Sequence, residues 1–256
     1  MAPRLNDEFR VIAYDQRGHG MSGKPSGGYG FERVAADAVA VMDALGLRRP
    51  VVVGHSWGAN VTLEVAVRSP HRVAGAVLLD GGFASLRERM DWPTARQVLA
   101  PPPLSGMSVD DLLARLRELR RGVMPITPEL EAVTLSLMRV DGRGRIRPRL
   151  SRANHLRILH ALWAQDAPAL LERVRVPTLV LATRARSASP ADAAFLESKR
   201  RGAEVVRAIR GPVRFEWIEG IHDVPLQRPR AVANRVRAFA ADPRFAAGPR
   251  GGGRSR

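Results

Sequence analysis

The sequence predicts an α/β protein: a mostly parallel sheet covered by helices on both faces, with a helical cap inserted into it. Three observations predict this. Short aliphatic runs, Val51-Val-Val53 and Ala76-Val-Leu-Leu79, alternate with longer stretches whose apolar residues recur at helical spacing. Those runs are apolar throughout rather than on alternate residues, the pattern of parallel strands buried on both faces. The third is an interruption. From Ala84 to about Arg173 no strand is evident, only helical stretches broken by Pro101-Pro-Pro103, Pro125, Pro128 and the Gly142/Gly144 loop.

Taken in order, Phe9 to Tyr14 reads as the first strand, ended by the turn-rich Asp15-Gln-Arg-Gly-His-Gly-Met-Ser-Gly23. A helix from Phe31 to Leu45 follows, with Val34, Ala38, Val41, Met42 and Leu45 on one face and Gly46 as its stop. The Val51–Val53 strand leads into a helix from about Gly58 to Ser69, closed by Pro70, and then to the Ala76–Leu79 strand. After the interruption the alternation resumes. A strand is expected at Pro177 to Ala182, a helix at Asp192 to Arg201, a strand at Val213 to Ile218 and a last helix at Pro229 to Ala240. The expected organisation is therefore a core in two parts, 1–83 and 174–241, a cap at 84–173, and a disordered Arg/Gly-rich tail at 242–256.

The chain has 256 residues, 45% of them hydrophobic and 26% charged, a profile that can support one large core without cross-links. It contains no cysteine, which excludes disulfides, thiolate metal sites and a cysteine nucleophile. No apolar run is long enough to span a bilayer, and the first ten residues lack the pattern of a secretory leader. The expectation is a soluble, cytoplasmic protein of open oligomeric state.

The net charge is +16, from 41 Lys and Arg against 25 acids. A cationic chain raises nucleic acid or anionic membranes as partners. Its distribution argues otherwise: seven Arg fall between Arg139 and Arg157 against Asp141 alone, the tail adds more, and the remainder is scattered. Only 5% of residues are aromatic, leaving few side chains to stack on bases. No specific nucleic-acid partner is expected, although the Arg139–Arg157 cluster is one place where an anionic partner would dock.

The chemistry is concentrated in Gly54-His55-Ser56-Trp57-Gly58, between a strand and a helix. A nucleophilic serine on such a turn needs small neighbours, because the backbone bends sharply where strand and helix approach. The turn lifts the hydroxyl above the carboxyl edge of the sheet and aims the Trp57 N–H toward a developing oxyanion. The same glycines would also suit a plain strand-to-helix turn with an idle serine. A base turns the balance. His222, in Glu219-Gly-Ile-His-Asp-Val-Pro225, follows the last strand and so belongs at the same sheet edge. The other five histidines, His19, His55, His71, His155 and His160, are less well placed.

In this order the Arg17-Gly-His-Gly20 turn, Gly54-His-Ser-Trp-Gly-Ala59, Val77-Leu-Leu-Asp-Gly-Gly82, a helical cap and Gly220-Ile-His-Asp-Val-Pro225 resemble the α/β-hydrolase superfamily, from Phe9 to Ala240. The resemblance implies Ser56 as nucleophile and His222 as base, with no metal or organic cofactor. It leaves the third member open. Many members carry the acid after the strand that follows the cap, but here Thr183-Arg-Ala-Arg-Ser-Ala-Ser-Pro190 holds no carboxylate. Asp80, at the end of the strand beside the serine's strand, ranks ahead of Asp192, the first acid beyond Pro190. Either needs only to reach the second imidazole nitrogen. Arg17 and His19 are expected to tie their own loop together.

The resemblance also implies strands and a His-Gly loop before Phe9, supplying a second oxyanion donor; an incomplete start is therefore expected. The expected function is hydrolysis of a small-molecule carboxylic ester or related acyl compound through a Ser-His-Asp triad. The alternative is a non-catalytic or vestigial binding protein on the same fold.

Overall fold

The computed structural model describes residues 1–184 and 190–242; the Arg/Gly-rich tail expected beyond Ala241 lies, from Pro243 on, outside the described residues. Helix α1 (Phe31–Ala44) precedes β1 (Val51–His55), α2 (Trp57–Arg68) and β2 (Gly75–Leu79). There follow α3 (Trp92–Val98), α4 (Val109–Leu119), α5 (Pro128–Ser136), β3 (Met138–Val140), β4 (Ile146–Pro148), α6 (Arg152–Ala164) and α7 (Ala167–Glu172). The chain continues with β5 (Thr178–Arg184), α8 (Pro190–Ala208), β6 (Val213–Glu219), α9 (Val224–Gln227) and α10 (Pro229–Ala241).

Two compact units result, and the first comprises Met1–Ile12, Ala35–Arg89 and the chain from Ala164 onward. Its sheet has the order β1-β2-β5-β6, with every pair parallel. Strand β2 is buried along its whole length, and β5 from Thr178 to Thr183. Successive side chains of a strand point to opposite faces, so each strand feeds two cores. Ala76, Leu78, Val180 and Ala182 pack with α2, α7 and α8, whereas Val77, Leu79, Leu179 and Leu181 pack with Val232, Val236 and Phe239 of α10. That is why these strands read as continuous apolar runs.

Phe9 to Tyr14 is not a strand. A strand needs a neighbour for its N–H and C=O groups, and the sheet ends at β1 without pairing to this segment. Phe9 and Val11 instead lie partly buried against the α10-side core. The apolar residues of this segment report a surface that packs on a sheet, not membership in it.

The second unit comprises Ala13–Val34 and Met90–Trp163. The turn after Tyr14 closes on Asp15: its Oδ2 accepts the Met21 N–H at 2.8 Å, and its carbonyl accepts the Ser22 hydroxyl at 2.6 Å. The His19 ring contributes a hydrogen bond from Nδ1 to the Arg17 carbonyl. Two short strands, β3 and β4, pair antiparallel within the stretch expected to hold none. The signal was present in Asp141-Gly142-Arg143-Gly144 between Met138-Arg-Val140 and Ile146-Arg-Pro148, turn residues flanked by alternating side chains. Three-residue strands are too short for periodicity to betray, and their core is small: Met138 and Ile146 pack with Leu112. Arg139, Arg143, Arg145 and Arg147 are exposed on this hairpin. Among the described residues no helix is long and apolar enough to cross a membrane.

Candidate active site

The site lies wholly within the first unit, where β1, β2 and β5 end side by side. At the end of β1 the chain reverses through Ser56 (φ 56°, ψ −124°) into α2. A positive φ is costly for a residue with a side chain and persists only where the surroundings enforce it. Here the Ser56 N–H is held by the Leu79 carbonyl at 2.9 Å, and Gly54 allows the close approach: a Cβ there would stand 2.0 Å from the Gly58 carbonyl oxygen. Trp57 is the first residue of α2, so its backbone N–H stands at the N-terminal end of that helix.

Asp80 follows β2 and is the second side-chain-bearing residue of this edge with positive φ, at 48°. Its carboxylate is fully buried and accepts the Thr183 N–H on Oδ1 at 2.8 Å. His222 Nδ1 donates to Oδ2 at 2.7 Å, and His222 Nε2 lies 2.8 Å from the Ser56 hydroxyl. With Nδ1 carrying its proton toward Asp80, Nε2 is left to accept from Ser56. The imidazole is 44% exposed, so this line of bonds runs from the interior to an accessible hydroxyl.

The histidine loop is fixed from two sides. The Ile221 N–H donates to Gln227 Oε1 at 3.0 Å, and His55 Nε2 donates to the His222 carbonyl at 2.7 Å. Burial lowers the His55 pKa, which favours the neutral ring, and one N–H of a neutral ring is enough for this bond. His55 was set aside as a base, and the structure gives it an anchoring bond instead.

Sequence reasoning missed Lys199. Its ammonium lies 2.7 Å from Asp80 Oδ1 and 2.8 Å from Oδ2, and donates to Thr183 Oγ1 at 2.6 Å. Burial pushes the Asp80 carboxyl upward, but the bonds from His222, Lys199 and Thr183 outweigh it and hold its pKa below the ordinary aspartate value. The end of β5, where an acid was sought and not found, supplies in the Thr183 N–H a donor to the acid that follows β2. Asp192 falls in the first turn of α8, and its side chain lies outside the described residues. One clue to Lys199 was compositional: it and Lys24 are the two lysines among 41 cations. Among the described residues no cluster of three or more His, Asp or Glu could hold a metal ion.

This strand-to-helix turn, at the carboxyl edge of a parallel sheet between helices, is that of an α/β-hydrolase fold, and the chain is similar to members of that superfamily. The family described as "alpha/beta hydrolase fold" matches residues 1–115. A crystal structure of E-2-(acetamidomethylene)succinate hydrolase superposes with a TM-score of 0.73 at 25% identity, covering 93% of this chain and 84% of that one. Among curated proteins, a non-heme chloroperoxidase of Streptomyces lividans is 49% identical over 76 residues, 29% of this chain and 28% of that protein. A 2-(acetamidomethylene)succinate hydrolase of Mesorhizobium japonicum is 40% identical over 77 residues, 30% of this chain and 28% of that protein. These matched segments span less than a third of the curated relatives' length.

Proposed function

We propose that the protein is a serine hydrolase acting on a small-molecule carboxylic ester or related acyl compound. The observation that carries this reading is the unbroken line from the Ser56 hydroxyl through His222 to the buried Asp80, at 2.8 and 2.7 Å. In the reaction, the Ser56 oxygen attacks the acyl carbonyl while Nε2 of His222 takes its proton. Asp80 holds the imidazole in the tautomer that can accept and stabilises the cation that forms. The same proton then passes to the departing alkoxide, leaving Ser56 acylated. A water molecule, deprotonated by His222, attacks the acyl-enzyme, and the proton returns to Ser56 as the carboxylic acid leaves. The Trp57 N–H is the proposed donor to the tetrahedral oxyanion. The hydrolases among the relatives support the reaction class; the acyl group follows from the serine chemistry.

A fluorophosphonate probe tests this directly, because it phosphonylates only a serine activated by a neighbouring base. Labelling of the full chain is expected and should fall by a factor of about 10⁴ or more in Ser56→Ala and His222→Ala. A folded wild-type chain that stays unlabelled would overturn the hydrolase reading and leave the non-catalytic binding protein in its place.

A further inference from the structure

We propose that Lys199 is the positioning residue of the candidate triad: it clamps the Asp80 carboxylate toward His222 and holds that carboxylate in its charged form. The catalytic consequence rests on the hydrolase reading, while the clamp itself rests on the geometry around Asp80.

An ammonium is expensive to bury unless every proton finds an acceptor. The Lys199 side chain is 9% exposed and Asp80 is fully buried. Besides the two carboxylate oxygens, Lys199 Nζ meets Thr183 Oγ1 at 2.6 Å and the Thr183 carbonyl at 3.2 Å. These acceptors surround a point, which suits the compact, freely rotating donors of an ammonium and not the planar fork of a guanidinium. The choice is telling in a chain whose 41 cations include only two lysines.

Stability alone does not explain such a pair, since well-packed apolar side chains of similar volume often serve as well. What the ion pair adds is control of the carboxylate. Oδ1 takes the Thr183 N–H, Oδ2 takes the His222 N–H, and Lys199 bridges both oxygens, so any rotation of the carboxylate breaks several bonds together. Its charge also acts on the carboxylate. A proton entering the carboxylate meets a fixed positive charge, so its protonation is driven to lower pH and the counter-charge of the imidazole stays in place. The depressed Asp80 pKa agrees with this direction.

Other groups face the pair from neighbouring elements. The His55 ring centroid lies 4.9 Å from that of His222, and Asp223 follows His222 in the chain. The Phe195 ring packs edge-on to His222 at 6.5 Å; it also lies 4.8 Å from Lys199 Nζ and 4.5 Å from the Arg89 guanidinium, which Arg201 faces in turn. Of these cations, only Lys199 touches the Asp80 carboxylate.

The test is the pH dependence of fluorophosphonate labelling in the full chain, for the wild type and for Lys199→Met, Lys199→Gln and Lys199→Arg. In both neutral variants the acidic limb should move up by about one pH unit, which is about a tenfold loss of rate below the wild-type midpoint. Lys199→Arg, which keeps the charge but fits these acceptors poorly, should move the limb less than either neutral variant does. Lys199→Gln retains an N–H donor and serves if Lys199→Met does not fold. A lysine that merely holds α8 would lower Tm and scale labelling equally at every pH; an unmoved limb in a folded neutral variant overturns the proposal. If the wild type is never labelled, the hydrolase reading fails, and the limb is read from the downfield NMR resonance of the His222–Asp80 proton. The pH at which that resonance is lost should shift in the same way, and its constancy would overturn the clamp independently.

Discussion

Two aspartates in this chain do similar work in opposite surroundings. Asp141 sits in the exposed β3–β4 turn, where its Oδ1 accepts the Arg143 and Arg145 N–H groups at 2.9 Å each. Asp80 also accepts a backbone N–H, but it is buried and adds Lys199 and His222. Both carboxyl groups are held below the ordinary aspartate range. For Asp141 the cause is the two backbone bonds, first that from Arg145; for Asp80 the donors must first overcome burial. In water each lost bond is replaced by solvent, whereas in the interior an unmatched partner keeps its full penalty. The exposed aspartate shapes one turn, and the buried one ties Thr183, Lys199 and His222 together.

Asp80→Asn should break this comparison hardest. It leaves Lys199 buried without its counter-charge, a loss of about 3–5 kcal/mol, and lets the His222 imidazole take the wrong tautomer, a fall of roughly 10⁴ in labelling rate. Chemical denaturation and probe labelling check the two effects separately. A labelling rate within tenfold of wild type would remove Asp80 from the proposed triad.

A smaller effect comes from pH. Because the folded-state pKa of Asp80 is depressed, its contribution to stability is fully present above the unfolded value of about 3.9 and is lost as pH falls through the folded value. The stability gap between wild type and Asp80→Asn should therefore narrow below about pH 4 and stay constant from pH 5 to 7. A gap that widens on acidification would contradict the sign. Asp141→Asn should do least: a Tm change within about 2 °C and unchanged labelling, read by a thermal melt and the same probe.

Ser56 and His222 were legible because their signals are local: glycines bracket the serine between a strand and a helix, and the histidine follows the last strand. The acid was left between Asp80 and Asp192, since nothing local tells how far a carboxylate stands from an imidazole 142 positions away; the structure puts Asp80 in contact. Lys199 was illegible for the same reason. It lies 16 residues beyond Thr183, and only the packing of α8 turns it inward. The strand expected at Phe9–Tyr14 and the unexpected β3–β4 hairpin show the converse: pairing depends on which neighbour is present, and composition reports only that a surface is apolar.

The sequence by itself determined the alternation of strands and helices, the glycine-bracketed serine and the rim on which the histidine falls, because each follows from periodicity and turn chemistry over a few residues. Tertiary structure decided which carboxylate meets the imidazole, which of two lysines is buried against it, and that Ala13–Val34 shares a compact unit with Met90–Trp163. Those choices depend on distances between segments far apart along the chain, and such distances exist only once the layers have packed.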